Sequence, residues 1–295
     1  MTSELAVVLM AYGSPERLAD VPAYYADIRG GRPIRPELLD DLVERYRRLG
    51  IDESSPLNAI TEETRAALER MLDLPVYTGM RHWTPRIAEA VELALAGGAT
   101  TIVGLVLAPH FSRMSIGTYK RLLEEALDGR VRLEFVESWG TDPGFVELLA
   151  DRVRGFGGHV VFTAHSLPAR ILDEGDPYRD QLLETSRLVA DRAGVVDWSF
   201  SFQSESATGE PWLGPDILDH LDGLAARGVR RVRVCPVGFV SDHLEIRWDL
   251  DHEARDRAAE LDLELDRIAM PNADPAFITV LASLVRAALV APSPV

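Results

Sequence analysis

Much of what narrows the class of this 295-residue chain is what it does not contain. There is one cysteine, Cys235, so no internal disulfide can form and no all-cysteine metal or iron–sulfur centre can be built. No apolar run approaches the roughly 18 residues that a membrane-spanning helix needs. The start, Met-Thr-Ser-Glu, lacks the basic segment of a secretory signal. A cytoplasmic protein with no membrane span is expected. Positive charge is short as well: 31 Lys and Arg stand against 47 Asp and Glu, a net charge of −16. That argues against general nucleic-acid binding, which needs a basic face. There is no G-x-x-x-x-G-K-S/T phosphate loop, no G-x-S-x-G, no H-E-x-x-H and no C-x-x-C.

What is present is ordinary for a soluble globular protein, 46% hydrophobic and 26% charged. Apolar runs predict strands over residues 5–11, 76–79, 101–108 and 131–136. Helices are predicted over 36–49, 61–72, with Thr61 as N-cap, and over 84–96, 115–126 and 143–153. A second series places strands over 159–164, 196–202, 229–234 and 263–268, with helices over 177–193, 215–227, 249–261 and 275–289. Strands that alternate with helices indicate an α/β fold of parallel βαβ units.

The two series repeat. Residues 7–15 and 160–168 align as V-V-x-x-A-Y/H-x-x-P, which makes Tyr12 the counterpart of His165, 153 residues later. Pro85/Pro215, Ile87/Ile217, Gly98/Gly228 and Ile102/Val232 share an offset of 130. Two similar lobes are therefore expected, residues 1–140 and 141–295, the second with the terminal helix. The difference between the offsets places about 23 extra residues in the first half. They fall at about 29–57, where Arg29, Arg32, Arg35, Arg45, Arg47 and Arg48 cluster. Such an insertion can wall one side of a cleft between lobes. The same arginines also suit a solvated helix face.

Polar side chains stand at predicted strand ends, where open α/β sheets bind ligands: Tyr12, His110, His165 and residues 241–245. An imidazole and a carboxylate facing one cleft, His165 and Glu245, can hold a divalent metal or move protons. Each also has a plain structural reading, as a strand-end histidine and a helix-start carboxylate. Glu245, Asp249 and Glu253 follow at steps of four and would share a helix face. They suit a path for a hydrated cation and, equally, a solvated acidic face. Asp242, His243 and His252 rank lower, and His110 reads first as a buried structural histidine.

Taken together, these stretches resemble the ferrochelatase family. The resemblance runs from about Leu5 to about Leu289. It rests on Ala11-Tyr12-Gly13-Ser14-Pro15, Tyr24-Tyr25-x-x-Ile28-Arg29, Ser55-Pro56-Leu57 and Leu107-Ala108-Pro109-His110-Phe111-Ser112. It continues in Ala164-His165-Ser166-Leu167-Pro168, Gly175-Asp176-Pro177-Tyr178, Gln203-Ser204-Glu205 and Pro211-Trp212-Leu213-Gly214-Pro215. The last piece is Pro236-Val237-Gly238-Phe239-Val240-Ser241-Asp242-His243-Leu244-Glu245.

The resemblance implies the chelatase fold, two Rossmann-like lobes with a porphyrin cleft between them. It implies insertion of ferrous iron into a porphyrin with release of two protons. His165 and Glu245 match the family's metal-site pair, and Tyr12 the tyrosine on the other side of the macrocycle. Arg29, Arg45, Tyr46, Ser55 and Tyr119 match porphyrin-holding positions, and Asp249 and Glu253 an outer metal row. The short monomeric members of Gram-positive bacteria are most similar, which implies coproporphyrin III as substrate and possible hand-over of product to a coproheme decarboxylase. No cofactor beyond substrate iron is expected. The chain departs from that pattern in having Arg29-Gly30 and Arg81-His82. Protoporphyrin IX, another tetrapyrrole such as sirohydrochlorin, and a non-enzymatic haem-binding protein are the alternatives.

Overall fold

Runs rich in Val, Ile, Leu and Phe become strands because branched and aromatic side chains suit a pleated surface covered on both faces. The computed structural model describes residues 3–50, 56–206 and 209–290. The first series is β1 (Leu5–Ala11), α1 (Val21–Ile28), α2 (Pro36–Arg48), α3 (Pro56–Leu72), β2 (Val76–Met80), α4 (Ile87–Ala96), β3 (Thr101–Val106), α5 (Ile116–Leu127) and β4 (Arg132–Val136). Its strands form a parallel sheet in the order β2-β1-β3-β4. After α6 (Pro143–Val153) comes the second series: β5 (His159–His165), α7 (Tyr178–Ala193), β6 (Trp198–Gln203), α8 (Ile217–Ala226) and β7 (Arg231–Cys235). It continues through a π-helical segment, Ile246–Ala254, α9 (Arg255–Glu260), β8 (Glu264–Arg267) and α10 (Pro275–Val290). These strands form a second parallel sheet, in the order β6-β5-β7-β8.

The repeat seen in the sequence is a repeat in space. Both sheets have the same strand order, with the first strand of each series inside. Met80 N–H donates to Pro85 O at 2.7 Å, and Phe202 N–H donates to Pro215 O at 2.8 Å. Gly98 and Gly228 end equivalent helices at φ +92° and +84°, a conformation that a side chain disfavours.

One apolar core joins the two sheets. Val7, Leu9 and Val103 of the first meet Val160 and Phe162 of the second through Phe145 and Leu149 of α6 and Phe277 and Leu281 of α10. Helix α10, expected with the second lobe, crosses back to lie on α3, β3, β4 and α6. The carboxyl ends of both central strands are thus held at fixed positions.

Three local expectations change. α1 has no counterpart among the predicted elements. α3 begins at Pro56, so Thr61 is not a cap; it lies inside the helix and its Oγ1 donates to Leu57 O at 2.7 Å. The α-helix expected over 249–261 is wound as a π-helix up to Ala254, with only α9 following. Such i→i+5 turns are rare and often mark functional sites.

Candidate active site

β5 carries the chain from the buried core to His165, its last residue. His165 Nδ1 binds the Ser166 carbonyl, and Tyr178 OH donates to the His165 carbonyl at 3.0 Å. With Nδ1 so engaged, Nε2 lies 3.4 Å from Glu245 Oε1. Glu245 ends the loop that follows β7, immediately before the π-helical segment. His243 Nε2 is 3.5 Å from its other oxygen. The Phe239 ring backs both imidazoles, with centroids 6.5 Å from His165 and 5.1 Å from His243.

The electrostatics follow from that pairing. Burial works against charge on both groups, but each charge stabilises the other more. His165 is raised to about 9, burial opposing and the Glu245 carboxylate prevailing. Glu245 is held well below the usual carboxylate range by His165 and His243, against the pull of burial. At neutral pH the pair is imidazolium and carboxylate. Both side chains keep an open side, with 31% and 41% of their surface exposed.

The loop bearing Glu245 is braced from β8. Arg267 Nη2 donates to Asp242 Oδ1 at 3.0 Å and to Asp251 Oδ2 at 2.7 Å, and its Nε to Asp251 Oδ1 at 2.9 Å. Asp242 also accepts from Asn272 Nδ2 and donates its N–H to Asn272 Oδ1, each at 2.8 Å. One guanidinium therefore ties the loop before Glu245 to the helix after it.

Behind the pair, Asp249 is buried and accepts from Ser204 Oγ and from Gln203 Nε2, the latter at 3.3 Å. Thr163 of β5 fixes Gln203 through a 3.0 Å hydrogen bond. Burial, then the charge of Glu245, lift the Asp249 carboxyl to about 6, with Glu253 adding to the rise. Asp249 and Glu253 line a cavity of about 140 Å³ with Ser204, Glu205, Asp216 and Arg45. Two acids of the expected row thus share one cavity.

The first lobe supplies the facing groups. Tyr12 stands just past β1, 40% exposed, its ring centroid 4.6 Å from that of His82. Burial raises its phenol pKa, and the Glu245 charge adds to the rise. His82 Nδ1 is 2.8 Å from Asp27 Oδ2, which Arg86 also binds. In α2, Tyr46 is buried with its OH 3.1 Å from Ser14 Oγ. Val21, Tyr46 and Leu244 share a small apolar cluster, and Arg45 stacks on the Trp248 ring at 5.1 Å. The inserted segment thus reaches the second lobe beside Glu245.

Arg29 ends α1 with a buried Nε that has no hydrogen-bond partner. Arg45 Nε is 2.9 Å from Asp41 Oδ2 but misaligned for a hydrogen bond. Tyr119 is buried, with the Arg81 guanidinium 5.7 Å from its ring centre. Ser55 lies outside the described residues. His110 is buried, with Nε2 2.8 Å from Thr185 Oγ1 and Nδ1 without a hydrogen-bond partner.

Sequence reasoning missed Arg267, the Asp27–His82 pair and Thr163. Their partners lie 16 to 55 residues away, so no local motif marks them.

Comparisons with known proteins place the chain in a family. The ferrochelatase family model matches residues 4–289. The ferrochelatase of Herpetosiphon aurantiacus is 41% identical, over 97% of this chain and 99% of that protein. The coproporphyrin III ferrochelatase of Halalkalibacterium halodurans is 40% identical, over 96% of each. Among solved structures, SirB from Bacillus subtilis with Fe3+ has a TM-score of 0.63 at 13% identity, covering 98% of this chain and 96% of that one, a likeness of fold.

Proposed function

The chain belongs to the ferrochelatase family, enzymes that insert iron into a porphyrin, and from that premise we propose that its substrate is coproporphyrin III and its product coproheme. The observation that carries the reading is the His165–Glu245 pair, 3.4 Å apart and open on one side, with Tyr12 of the other lobe within reach of the Glu245 charge.

A free-base porphyrin must lose two pyrrole protons as Fe2+ enters. In the resting pair, His165 holds a proton because Glu245 is ionised beside it. Ferrous iron arriving at Glu245 takes over that negative charge. Burial then dominates at His165, its pKa falls, and the proton leaves. The bare imidazole accepts the two pyrrole protons in turn, passing each to solvent water, as the metal drops into the ring. In this reading Glu245 delivers iron and His165 serves as base. Asp249 and Glu253, in the cavity behind, feed hydrated Fe2+ to the pair. The reaction so written uses only the two substrates.

The choice of coproporphyrin rests on charge. It carries four propionates; Arg29 keeps a buried Nε without a hydrogen bond, and Arg45, whose Nε is paired with Asp41, supplies a second guanidinium. A carboxylate is the natural acceptor for such donors. Curated relatives named coproporphyrin III ferrochelatase, at 40% and 39% identity, support the same choice. Among the described residues no helix is long and apolar enough to cross a membrane. The reading includes a monomer working in the cytoplasm, with coproheme passing to a decarboxylase.

The test is anaerobic metalation with Fe2+ and either coproporphyrin III or protoporphyrin IX, followed by porphyrin absorbance. Faster turnover of coproporphyrin is expected, and loss of that preference when Arg29 and Arg45 become Ala. Preference for protoporphyrin would overturn the substrate assignment.

A further inference from the structure

A second group of converging imidazole and hydroxyl side chains lies far from the cleft. His159 is the first residue of β5 and His165 the last, so the two ends are about 20 Å apart at a strand rise of roughly 3.3 Å per residue. His159 Nδ1 is 2.7 Å from Asp197 Oδ1. His159 Nε2 is 2.7 Å from Ser199 Oγ in β6, and His220 Nε2 of α8 is 2.7 Å from the same oxygen.

The proton count makes this arrangement telling. A serine hydroxyl has one proton and can satisfy one bare imidazole nitrogen. Asp197 fixes the Nδ1–H tautomer of His159, which leaves its Nε2 as an acceptor for the hydroxyl. His220 must then present Nε2–H to the serine oxygen. The carboxylate–imidazole pair resembles the support that orients a metal-ligating histidine.

We propose that His159, Ser199 and His220 bind a divalent transition-metal ion such as Zn2+, Co2+ or Ni2+ at the end of the second sheet remote from the cleft. The ion takes the Nε2 lone pairs of both imidazoles, and the His220 proton moves to Nδ1. Ser199 Oγ and water complete the coordination. Imidazole donors select these ions over Mg2+ or Ca2+. Asp197 is 70% exposed in its side chain, so solvent reaches the edge of the group. No set of three His, Cys, Asp or Glu side chains is placed to cage a metal among the described residues, so micromolar rather than tighter binding is expected.

The test must silence the cleft first. Zn2+ is titrated calorimetrically, in excess Mg2+, into the intact His165→Ala/Glu245→Gln protein and into the same protein carrying His220→Gln as well. Glutamine keeps an N–H for Ser199, and thermal melts check that both proteins are folded. One micromolar equivalent in the first protein, weakened about tenfold or more in the second, is the expected result. Co2+ bound to the first should show visible d–d bands that His220→Gln removes. Equal Zn2+ binding in both proteins, or no such equivalent in the first, would overturn the proposal. In the otherwise native protein, His220→Gln should leave porphyrin metalation unchanged.

Discussion

Replacing Arg267 with Met removes the guanidinium that braces the loop of Glu245. Three of its hydrogen bonds, at 2.7 to 3.0 Å, go to Asp242 and Asp251, and a fourth goes to the Ile268 carbonyl at 3.1 Å. The arginine side chain is 13% exposed, Asp242 19% and Asp251 29%. Breaking a fully buried pair by removing one partner costs about 3–5 kcal/mol. Water reaches both carboxylates in part, so about 2–3 kcal/mol is the better expectation here. Asp242 stands three residues before Glu245 and Asp251 lies in the helix after it, so the loss reaches the site as misplacement. A shift near 1 Å at a reacting group can cost about 10²-fold in rate. Urea denaturation should show the stability loss, and single-turnover metalation a slowing of at least about tenfold with porphyrin affinity nearly unchanged. Arg267→Lys, which can reach one carboxylate at a time, should recover part of both. Wild-type stability within about 0.5 kcal/mol and a rate within about twofold for Arg267→Met would refute the bracing role.

Burial holds His110 at about 3, below its ordinary 6.5. The folded pKa is the lower one, so its contribution is complete above pH 6.5 and is lost as pH falls toward 3. His110→Gln should therefore flatten the pH dependence of stability in that window, by up to about 5 kcal/mol, in urea melts taken across pH. Gly238→Ala would put a Cβ 2.5 Å from Ala164 Cβ and 2.9 Å from Ala164 Cα, next to His165. It should cost about 1–3 kcal/mol in a thermal melt and slow metalation. Asn58 accepts from Ser14 N–H at 3.1 Å and donates to Ser14 O at 2.7 Å. Asn58→Ala should cost about 1–3 kcal/mol and weaken porphyrin binding, measured by fluorescence quenching, because Ser14 positions Tyr46.

The sheets were legible because strands covered on both faces must be nearly continuous apolar runs; β1 matches its predicted limits for that reason. The duplication was legible because the turns need particular residues, Pro85 and Pro215, Gly98 and Gly228. His165 was legible as a polar residue where an apolar run stops, and Glu245 through the motif before it. The π-helical winding of Ile246–Ala254 was not, since apolar spacing does not encode which carbonyl each N–H reaches. α1 escaped because its tyrosines blur the apolar stripe; Tyr24 is buried while Tyr25 is half-buried. The return of α10 onto the first sheet depends on Phe277 and Leu281 finding Val7 and Leu9, contacts that no short window contains. Arg267 looked like any arginine on an edge strand until its two carboxylates were seen around it.

The central claim is that His165 and Glu245 act as one unit in iron insertion. Its most direct test is anaerobic single-turnover metalation of enzyme-bound coproporphyrin III by the wild type, His165→Ala and Glu245→Gln, with porphyrin affinity measured alongside. The account predicts that each variant binds porphyrin about as well as the wild type yet inserts iron slower by about 10²-fold or more. Wild-type insertion by either variant would contradict it.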